Sequence, residues 1–460
     1  MHSFRECDIR GKYPIEVHEA LFKAIGKAIG ARWHDGPVVV GRDFRNGSLS
    51  LSSALIEGLL YSGARVIDAG CVPTPILYFA RRQCHAAVAA MVTASHNPPE
   101  YNGLKLLLRD RPASRKEIDW LQKNIFVPQA QQTGGKYEAK DVISPYIAEI
   151  ERFWGKWVSP VSSAPKPRFV ADPGGGSWSL VSRRLFRQLN LPCVLLHDDP
   201  DGSFSARSPD CSASSSLNRL AARVVEERAE LGVAWDGDGD RFAAIDGRGT
   251  ILTADQLGLL FARSMPITGE KVLLDVKISR KVDVALRSLG AIPVIEKSAH
   301  CALETAMLEQ DCIFGCEYSG HYFFRDLHGA DDGMFAALRL IGILVAQKGL
   351  ENALKELPDF HLTPDVRIPA DADDFRELRD CLANSPFFEL ARLSSIDGVK
   401  FMLPHGWVLF RRSVSEDKIS FRAEGDTPSD LAIIVRNVIA ALPERLHALR
   451  GELAARVYEH

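Results

Sequence analysis

Short apolar runs alternate with stretches of helical spacing along most of this chain, and one pattern recurs three times. In the first copy Val38-Val39-Val40 leads into Gly41-Arg42-Asp43. A helix follows through Leu55 and Leu59, and Gly63-Ala64-Arg65-Val66-Ile67 opens a second strand. In the second copy Phe169-Val170-Ala171-Asp172-Pro173-Gly174 precedes a helix through Leu185, then Asn190 and the strand Cys193-Val194-Leu195-Leu196. In the third, Val272-Leu273-Leu274-Asp275-Val276-Lys277 precedes a helix through Val284 and the strand at Gly290-Ala291-Ile292-Pro293-Val294-Ile295. Strands this short and apolar, joined by one helix, are βαβ units in sheets covered on both faces. Three copies predict three α/β domains in series. An aspartate follows the first strand of each copy, so polar groups gather at the strand C-termini, where open α/β sheets place ligands.

The end of the chain differs. Asp365-Val366-Arg367-Ile368-Pro369, Val408-Leu409-Phe410 and Ile419-Ser420-Phe421-Arg422 read as strands, and residues 429–442 as an amphipathic helix, which predicts a smaller α+β domain. Residues 157–167, rich in Ser and Pro, and 356–364 read as linkers, and 129–135 as a polar loop within the first domain.

A length of 460 residues agrees with roughly three or four domains. Hydrophobic residues at 46% and charged residues at 25% are the proportions of a soluble globular protein. A net charge of −3 gives no general pull toward nucleic acid or membrane, so phosphorylated ligands would have to be held by local basic groups. The nine cysteines form no CxxC pair, and Cys312 and Cys316 have no second pair to complete a zinc site. Scattered thiols in odd number fit the reduced state of a cytoplasm. The start, Met1-His2-Ser3-Phe4-Arg5-Glu6, has no apolar signal core, and no run reaches the ~20 apolar residues of a membrane span.

The chemistry concentrates in a few segments. Thr93-Ala94-Ser95-His96-Asn97-Pro98 follows the apolar run from Ala86 to Val92. A serine at the mouth of a buried strand, before a turn that Pro98 helps to set, can be held rigid and exposed as a nucleophile or phosphate carrier. The bland alternative is a helix N-cap. His96 is not automatically its base, because adjacent side chains usually diverge. Tyr101-Asn102-Gly103-Leu104-Lys105 brings a lysine close in sequence, able to move protons or to act as a point charge.

Asp236-Gly237-Asp238-Gly239-Asp240-Arg241 sets three carboxylates at alternate positions after the apolar segment from Leu231 to Trp235. They repel one another unless a cation neutralises them, and the glycines let all three face one point. Oxygen ligands favour Mg²⁺ or Mn²⁺. A solvated Asp-Gly turn is the alternative, and an EF-hand loop is excluded by the missing bidentate Glu. Arg241 reads equally as a phosphate contact or a structural ion pair. Glu317-Tyr318-Ser319-Gly320-His321 follows the apolar stretch from Cys312 to Gly315, predicted as a strand. An acceptor and a hydroxyl one residue apart can grip neighbouring sugar hydroxyls, or simply make a turn. His300 opens the helix after the third unit, a position more often taken by a capping or core histidine than by a catalyst.

With these segments in this order, the chain resembles the α-D-phosphohexomutase superfamily, specifically its phosphomannomutase/phosphoglucomutase branch. The segments at 93–98, 236–241 and 317–321 are similar to that family's phosphoserine, metal-binding and sugar-recognition loops, with Cys316 where the last usually has glycine. Phe4-Arg5-Glu6-Cys7-Asp8-Ile9-Arg10-Gly11 resembles the branch's N-terminal Phe-x-x-x-Asp-Ile-Arg-Gly, and Asp201-Gly202-Ser203-Phe204 a linking segment. The resemblance spans nearly the whole length. It implies an α/β molecule with three similar domains of mixed sheets and a smaller C-terminal α+β domain around a central cleft. The expected domains are 1–148 for the phosphoserine, 149–248 for the metal, 249–358 for sugar recognition and 359–460 for phosphate.

Carried over by position, the resemblance implies that Ser95 is the phosphoserine and that Asp236, Asp238 and Asp240 hold one Mg²⁺, the seryl phosphate adding a ligand. Arg10, Lys105, Arg241 and His300 would serve phosphate charge and proton transfer. Lys277 would line the cleft, and Glu317, Ser319 and His321 would bind the sugar. The family's fourth-domain phosphate loop corresponds to Arg411-Arg412-Ser413-Val414-Ser415-Glu416-Asp417, where Arg411, Ser413 and Ser415 keep phosphate donors. Val414 lacks a side-chain donor and Asp417 stands where proline is usual. Ala299 and Glu304 depart from the glycine and lysine common beside the histidine.

The implied reaction interconverts hexose 1-phosphate and hexose 6-phosphate of mannose or glucose through a hexose 1,6-bisphosphate, which also serves as activator. A mutase for glucosamine phosphate or another sugar phosphate, and a sugar-phosphate-binding regulatory protein of weak turnover, are the alternatives. The expected partner is a small phosphosugar, with no nucleic acid or membrane, for a cytoplasmic monomer or dimer.

Overall fold

A computed structural model of the chain describes residues 3–128, 131–158, 164–412, 418–442, 446, 450–451 and 453–455. The first sheet runs, in spatial order, Asp8–Lys12, Tyr101–Leu108, Val88–Val92, Val38–Arg42, Arg65–Cys71 and Lys136–Ala139, with Arg111–Pro112 paired to Tyr101–Leu108. The second runs Phe242–Asp246, Leu231–Trp235, Phe169–Asp172 and Cys193–Leu195. The third runs Tyr322–Phe324, Phe314–Cys316, Lys271–Asp275 and Ile292–Glu296.

All three contain the same four-strand unit. Numbered by chain order within each unit, the strands lie side by side as fourth, third, first, second. The first three are parallel and the fourth is antiparallel to the third. The third strands are its centre, and Val88–Val92 and Leu231–Trp235 are buried at every position. That burial explains why they read as continuous apolar runs. The expected strand over 312–315 begins two residues later, at Phe314: Cys312 lies in the turn after helix His300–Glu309, and the ladder with Val272 starts only at Phe314.

One apolar cluster runs through all three units. It takes Ile67, Phe79 and Tyr146 from the first, Trp178 and Trp235 from the second, and Phe261, Phe314 and Phe335 from the third. The last sheet, His361–Leu362, Lys418–Gly425, Gly406–Arg412, Val399–Leu403 and Arg392–Ser394, is antiparallel. Val366–Pro369 pairs with Lys418–Gly425 beyond His361–Leu362. Helices Ala372–Ala383 and Pro428–Ala441 accompany this sheet, which has a separate core around Phe401, Phe410, Phe421 and Val435.

Its junction with the third unit is polar. Arg422 meets Asp255 at 3.0 Å, Lys277 meets Asp365 at 2.8 Å, and Ser279 Oγ donates to Glu424 Oε1 at 2.6 Å. Among the described residues no helix is long and apolar enough to cross a membrane.

Candidate active site

The loop after strand Val88–Val92 is shaped by a left-handed residue, Ser95, at φ 52°. A non-glycine residue rarely adopts that conformation, and its neighbours hold it there. The buried Arg45 guanidinium donates to the carbonyls of Ser95, Asn97 (2.6 Å) and Pro98 (2.8 Å). Burial drives the proton affinity of Arg45 down, and Asp43, with Oδ2 3.2 Å from Nε, opposes that loss. The sequence reading missed Arg45. Its only signal was a base two residues beyond the aspartate that ends the first strand.

Ser95 is not exposed, as its place at a strand mouth suggested, but 1% accessible, because the acidic loop closes over it. A Cβ on Gly237 would lie 2.6 Å from the carbonyl oxygen of Ser95, so only glycine permits this approach. Ser95 Oγ donates to Asp236 Oδ2 at 2.8 Å and lies 3.3 Å from His96 Nδ1. Adjacent side chains were expected to diverge; the left-handed backbone at Ser95 brings these two together. Burial, and then Arg241, Arg10 and Lys105, push His96 well below the ordinary imidazole range, so its ring is neutral.

The carboxylates of Asp236, Asp238 and Asp240 are all buried, with ligand atoms within 4.8 Å of one another. Asp236 Oδ1 accepts the N–H groups of Gly239 (3.0 Å) and Arg241 (3.2 Å), curling the loop around its first carboxylate. Thr74 Oγ1 donates to Asp238 Oδ2 at 2.7 Å. Lys105 Nζ lies 2.8 Å from Asp238 Oδ2 and also contacts Asp240 Oδ2. Burial and the two neighbouring aspartates push Asp236 far above the usual carboxylate range. For Asp238 and Asp240, burial acts the same way, but Lys105 wins and both are lowered. Asp238 Oδ1 and Asp240 Oδ1 are buried without a hydrogen-bond partner. Orphaned carboxylate oxygens in a converging, all-oxygen set fit a hard divalent cation such as Mg²⁺.

The third loop supplies Glu317 and Ser319, both with a buried side-chain oxygen that has no partner. Behind it, Asp331 Oδ2 accepts from His321 Nδ1 and lies 3.0 Å from His300 Nε2. Burial disfavours a charged His300, but Asp331 outweighs it and raises the ring to about 10, leaving it cationic at neutral pH. Arg241 Nε donates to His321 Nε2 at 3.0 Å, linking the acidic loop to the third one.

Asp43, Asp172 and Asp275, the aspartates after the first strands, take equivalent places. One oxygen of each accepts the N–H two residues on, from Arg45 (3.0 Å), Gly174 (2.7 Å) and Lys277 (3.0 Å), an Asx turn made three times. The other oxygen braces the loop after the third strand. Asp43 accepts from Thr93 Oγ1 at 2.7 Å, and Asp275 accepts from the N–H of Tyr318 at 3.1 Å. Asp172 holds Arg207, which donates to the carbonyl of Trp235 at 2.7 Å. The loops that carry Ser95, the three aspartates and Glu317 thus sit on one repeated support.

Two neighbouring cavities share Asp8 and Arg10. The smaller, about 70 Å³, is lined by Ser95, Lys105, Arg241, His300 and His321; the larger, about 500 Å³, lies between His96 and Asn97 on one side and Arg367, Arg411 and Ser420 on the other. Strand Asp8–Lys12 pairs Asp8 with Lys105, which sets Arg10 at the junction, with NH1 2.6 Å from Asn97 Oδ1.

Three family models match in order: domains I, II and III of phosphoglucomutase/phosphomannomutase, over residues 1–132, 144–249 and 253–360. The chain belongs to this family. It is therefore an isomerase of the α-D-phosphohexomutase superfamily. A phosphomannomutase/phosphoglucomutase of Pseudomonas aeruginosa is 31% identical over 453 residues, 96% of either chain. A probable phosphoglucosamine mutase of Methanothermobacter thermautotrophicus is 31% identical, covering 92% of this chain and 94% of its own. A phosphoglucomutase/phosphomannomutase family protein of Burkholderia thailandensis has a TM-score of 0.86 at 30% identity, over 96% of this chain and 98% of that one.

Within this mutase the expected ligands Asp236, Asp238, Asp240, Glu317 and Ser319 are not among the residues that line either cavity. Lys277 is not among them either. It is buried, with Nζ on Asp365 and 5.6 Å from the Tyr318 ring centroid, because the polar junction with the last sheet claims it. Arg411 lines the larger cavity with Nε 2.7 Å from Asp397 Oδ2. Ser413, Val414, Ser415, Glu416 and Asp417 lie outside the described residues.

Proposed function

We propose that this mutase interconverts the 1- and 6-phosphates of glucose and mannose through a phosphoryl group carried on Ser95, with hexose 1,6-bisphosphate as intermediate and activator. The observation that carries this reading is the 2.8 Å contact of Ser95 Oγ with Asp236 inside the triad of carboxylates, next to Lys105. Asp236, Asp238 and Asp240 would hold the Mg²⁺. Bound there, the ion supplies positive charge to the oxygens of the moving phosphoryl group.

The chain's own groups do the rest. Phosphoryl transfer depends on positioning and charge stabilisation, since the phosphate monoester is inert unaided. Arg45 fixes the Ser95 backbone, so the phosphoryl group is presented in one orientation. Arg10 and Arg241, and His300 held cationic by Asp331, face the smaller cavity with Ser95 and offset phosphate charge. Lys105 acts there as a charge, because Asp238 and Asp240 keep it protonated. The seryl P–O bond breaks as a sugar hydroxyl takes the phosphoryl group. The bisphosphate turns over, and its other phosphate returns to Ser95. Glu317 and Ser319, with unpaired oxygens, would hold sugar hydroxyls in both orientations. The tight enclosure of Ser95 keeps water from its phosphate.

The phosphoglucosamine mutase among the relatives supports a second reading, the same chemistry on an amino sugar. A coupled assay with glucose 1-phosphate, mannose 1-phosphate and glucosamine 1-phosphate, each primed with glucose 1,6-bisphosphate, ranks the substrates. Peptide mass mapping of the primed protein should find phosphate on Ser95. Turnover with no phosphate there, or with phosphate elsewhere, overturns the reading. No turnover on any of the three favours a sugar-phosphate-binding regulatory role.

A further inference from the structure

Two of the nine cysteines meet at the smaller cavity, one from the edge of the first sheet and one from the third unit. We propose that Cys7 and Cys301 are a peroxide-sensitive pair: a hydroperoxide oxidises Cys301, Cys7 closes a disulfide onto it, and the cross-link slows the mutase until a dithiol reduces it. The disulfide needs only the two thiols and the oxidant. Its effect on turnover rests on the reading of Ser95, in the same cavity, as phosphoryl carrier.

Local structure presents both sulfurs. Phe4 bridges to Ile9, and the Arg5 N–H donates to the carbonyl of Asp8 at 2.9 Å, so Glu6 and Cys7 form the tip of a tight loop. Cys301 is the second residue of helix His300–Glu309, whose N-cap, Ala299, brings no side chain to the free N–H groups. Lys297 Nζ meets Glu6 Oε1 at 2.9 Å and fastens the loop to the start of the helix. The two thiols hydrogen-bond to each other, and both are free and half-buried. The cavity they line shares Asp8 and Arg10 with the larger one, which gives a small peroxide a way in.

The sulfurs are not equivalent. Cys301 has the positive end of a helix and the cationic His300 beside it, and both favour a thiolate. The bond from Cys7 draws Cys301 down against burial, while the same bond and burial push Cys7 up, so Cys7 keeps the shared proton. Cys301 is therefore the nucleophile. Its thiolate attacks one oxygen of hydrogen peroxide, the O–O bond breaks, hydroxide leaves and Cys301 becomes a sulfenic acid. The Cys7 sulfur then attacks the Cys301 sulfur, the S–O bond breaks, and the hydroxyl departs with the Cys7 proton as water. The sulfur pair is oxidised by two electrons and the peroxide reduced by two. Sulfurs now in hydrogen-bond contact end about 2.0 Å apart, which draws the loop and the helix together. Asp8, next to Cys7, holds Arg10 Nε at 2.8 Å, and His300, next to Cys301, is held by Asp331 at 3.0 Å. The bond thus displaces cations that face Ser95 in a cavity of only about 70 Å³.

The test treats the reduced protein with a few equivalents of hydrogen peroxide, stops the reaction with catalase, blocks remaining thiols with N-ethylmaleimide and maps peptides without reduction. Peptides joined through Cys7 and Cys301 are expected, in protein that runs as a single chain on a non-reducing gel. Turnover on primed glucose 1-phosphate should fall by roughly 10-fold or more in step with that pair, the scale of a small misplacement of catalytic groups. Dithiothreitol should reverse both. Cys301→Ser should form no such pair and keep its own untreated rate under peroxide. Cys7→Ser should leave Cys301 open to dimedone as the sulfenic acid, and longer exposure should carry it to a sulfinic acid that dithiothreitol does not reverse. Oxidised wild-type protein without the Cys7–Cys301 pair, whether Cys301 ends untouched, overoxidised or joined to another cysteine, overturns the proposal whatever the variants do. A pair that forms with turnover unchanged overturns its role as a switch. A protein that forms the pair but turns over no hexose phosphate even when reduced leaves the disulfide standing and sinks the mutase reading instead.

Discussion

Ser95 Oγ and Asp236 Oδ2 are 141 residues apart in the chain and 2.8 Å apart in space. The contact brings a loop of the first unit onto a loop of the second, and Lys105, from the strand after Ser95, crosses the same boundary to Asp238 and Asp240. Ser95 and Lys105 therefore reach the buried carboxylates only when both units are docked.

Asp238→Asn removes a carboxylate that Lys105 and Thr74 both engage. Turnover should fall by roughly 100-fold or more, the scale of losing one preorganised electrostatic contact. The apparent Mg²⁺ requirement should rise with it. Steady-state rates across a Mg²⁺ titration measure both, and an unchanged Mg²⁺ dependence would remove Asp238 from the metal set.

Asp43→Ala leaves Arg45 buried beside the Ser95 loop without its counter-charge. Breaking one side of a buried ion pair costs about 3–5 kcal/mol. The Asx turn and the support of Thr93 are lost in the same change. Denaturant unfolding should show the lost stability, and kcat measured on the protein that remains folded should fall, because the left-handed geometry at Ser95 depends on Arg45. A variant as stable and as active as the parent would refute this role.

His300 and His96 give stability a pH dependence of opposite sign. His300 is raised from 6.5 to about 10, so the folded state binds the extra proton between those values. Its contribution is complete below about pH 6.5 and is lost as pH climbs toward 10. His96 is depressed well below 6.5, so the unfolded chain takes up a proton first and stability falls as pH drops below 6.5. Burial raises Glu304 to about 8 and Asp332 to about 7, which adds a falling trend across pH 5 to 8. The His300 part is therefore read as the difference in unfolding free energy between the parent and His300→Asn, largest below about pH 6.5 and vanishing toward pH 10. His300→Asn should flatten the alkaline limb and leave the acid limb in place.

Cys7 and Cys301 both line the smaller cavity, and their thiols hydrogen-bond to each other. That bond draws Cys301 downward, burial opposes it, and the His300 charge assists; the same bond and burial push Cys7 up. The thiols of Cys71, Cys193 and Cys312 are also raised, by burial. Thiolate character governs reactivity, so iodoacetamide should label Cys301 before the others. Turnover should fall in step, and hexose phosphate should protect. Peptide mapping over time tests the order, and labelling that begins at another cysteine contradicts it.

Much of this site was readable before any folding was considered. The segments at 93–98, 236–241 and 317–321 each follow an apolar run, and strand composition is a local property that the chain carries openly. The three βαβ units were visible for the same reason. The third and fourth strands of each unit were not assigned to their places, because lateral order depends on which edges meet, and periodicity is silent on that.

What only the tertiary structure decided are the contacts between distant segments. Ser95 is enclosed because Gly237 admits the acidic loop against its carbonyl. Arg45 became the clamp of the serine loop 50 residues further on, and Lys277 was drawn from the cleft into the junction with Asp365. The sequence by itself determined which residues could carry phosphate, metal and sugar, since side-chain chemistry and local period are written in it residue by residue. Register across strands and docking between units determined where those groups meet. That depends on the packing of whole surfaces, which is why Cys7 and Cys301 meet at one cavity although no spacing in the chain announces it.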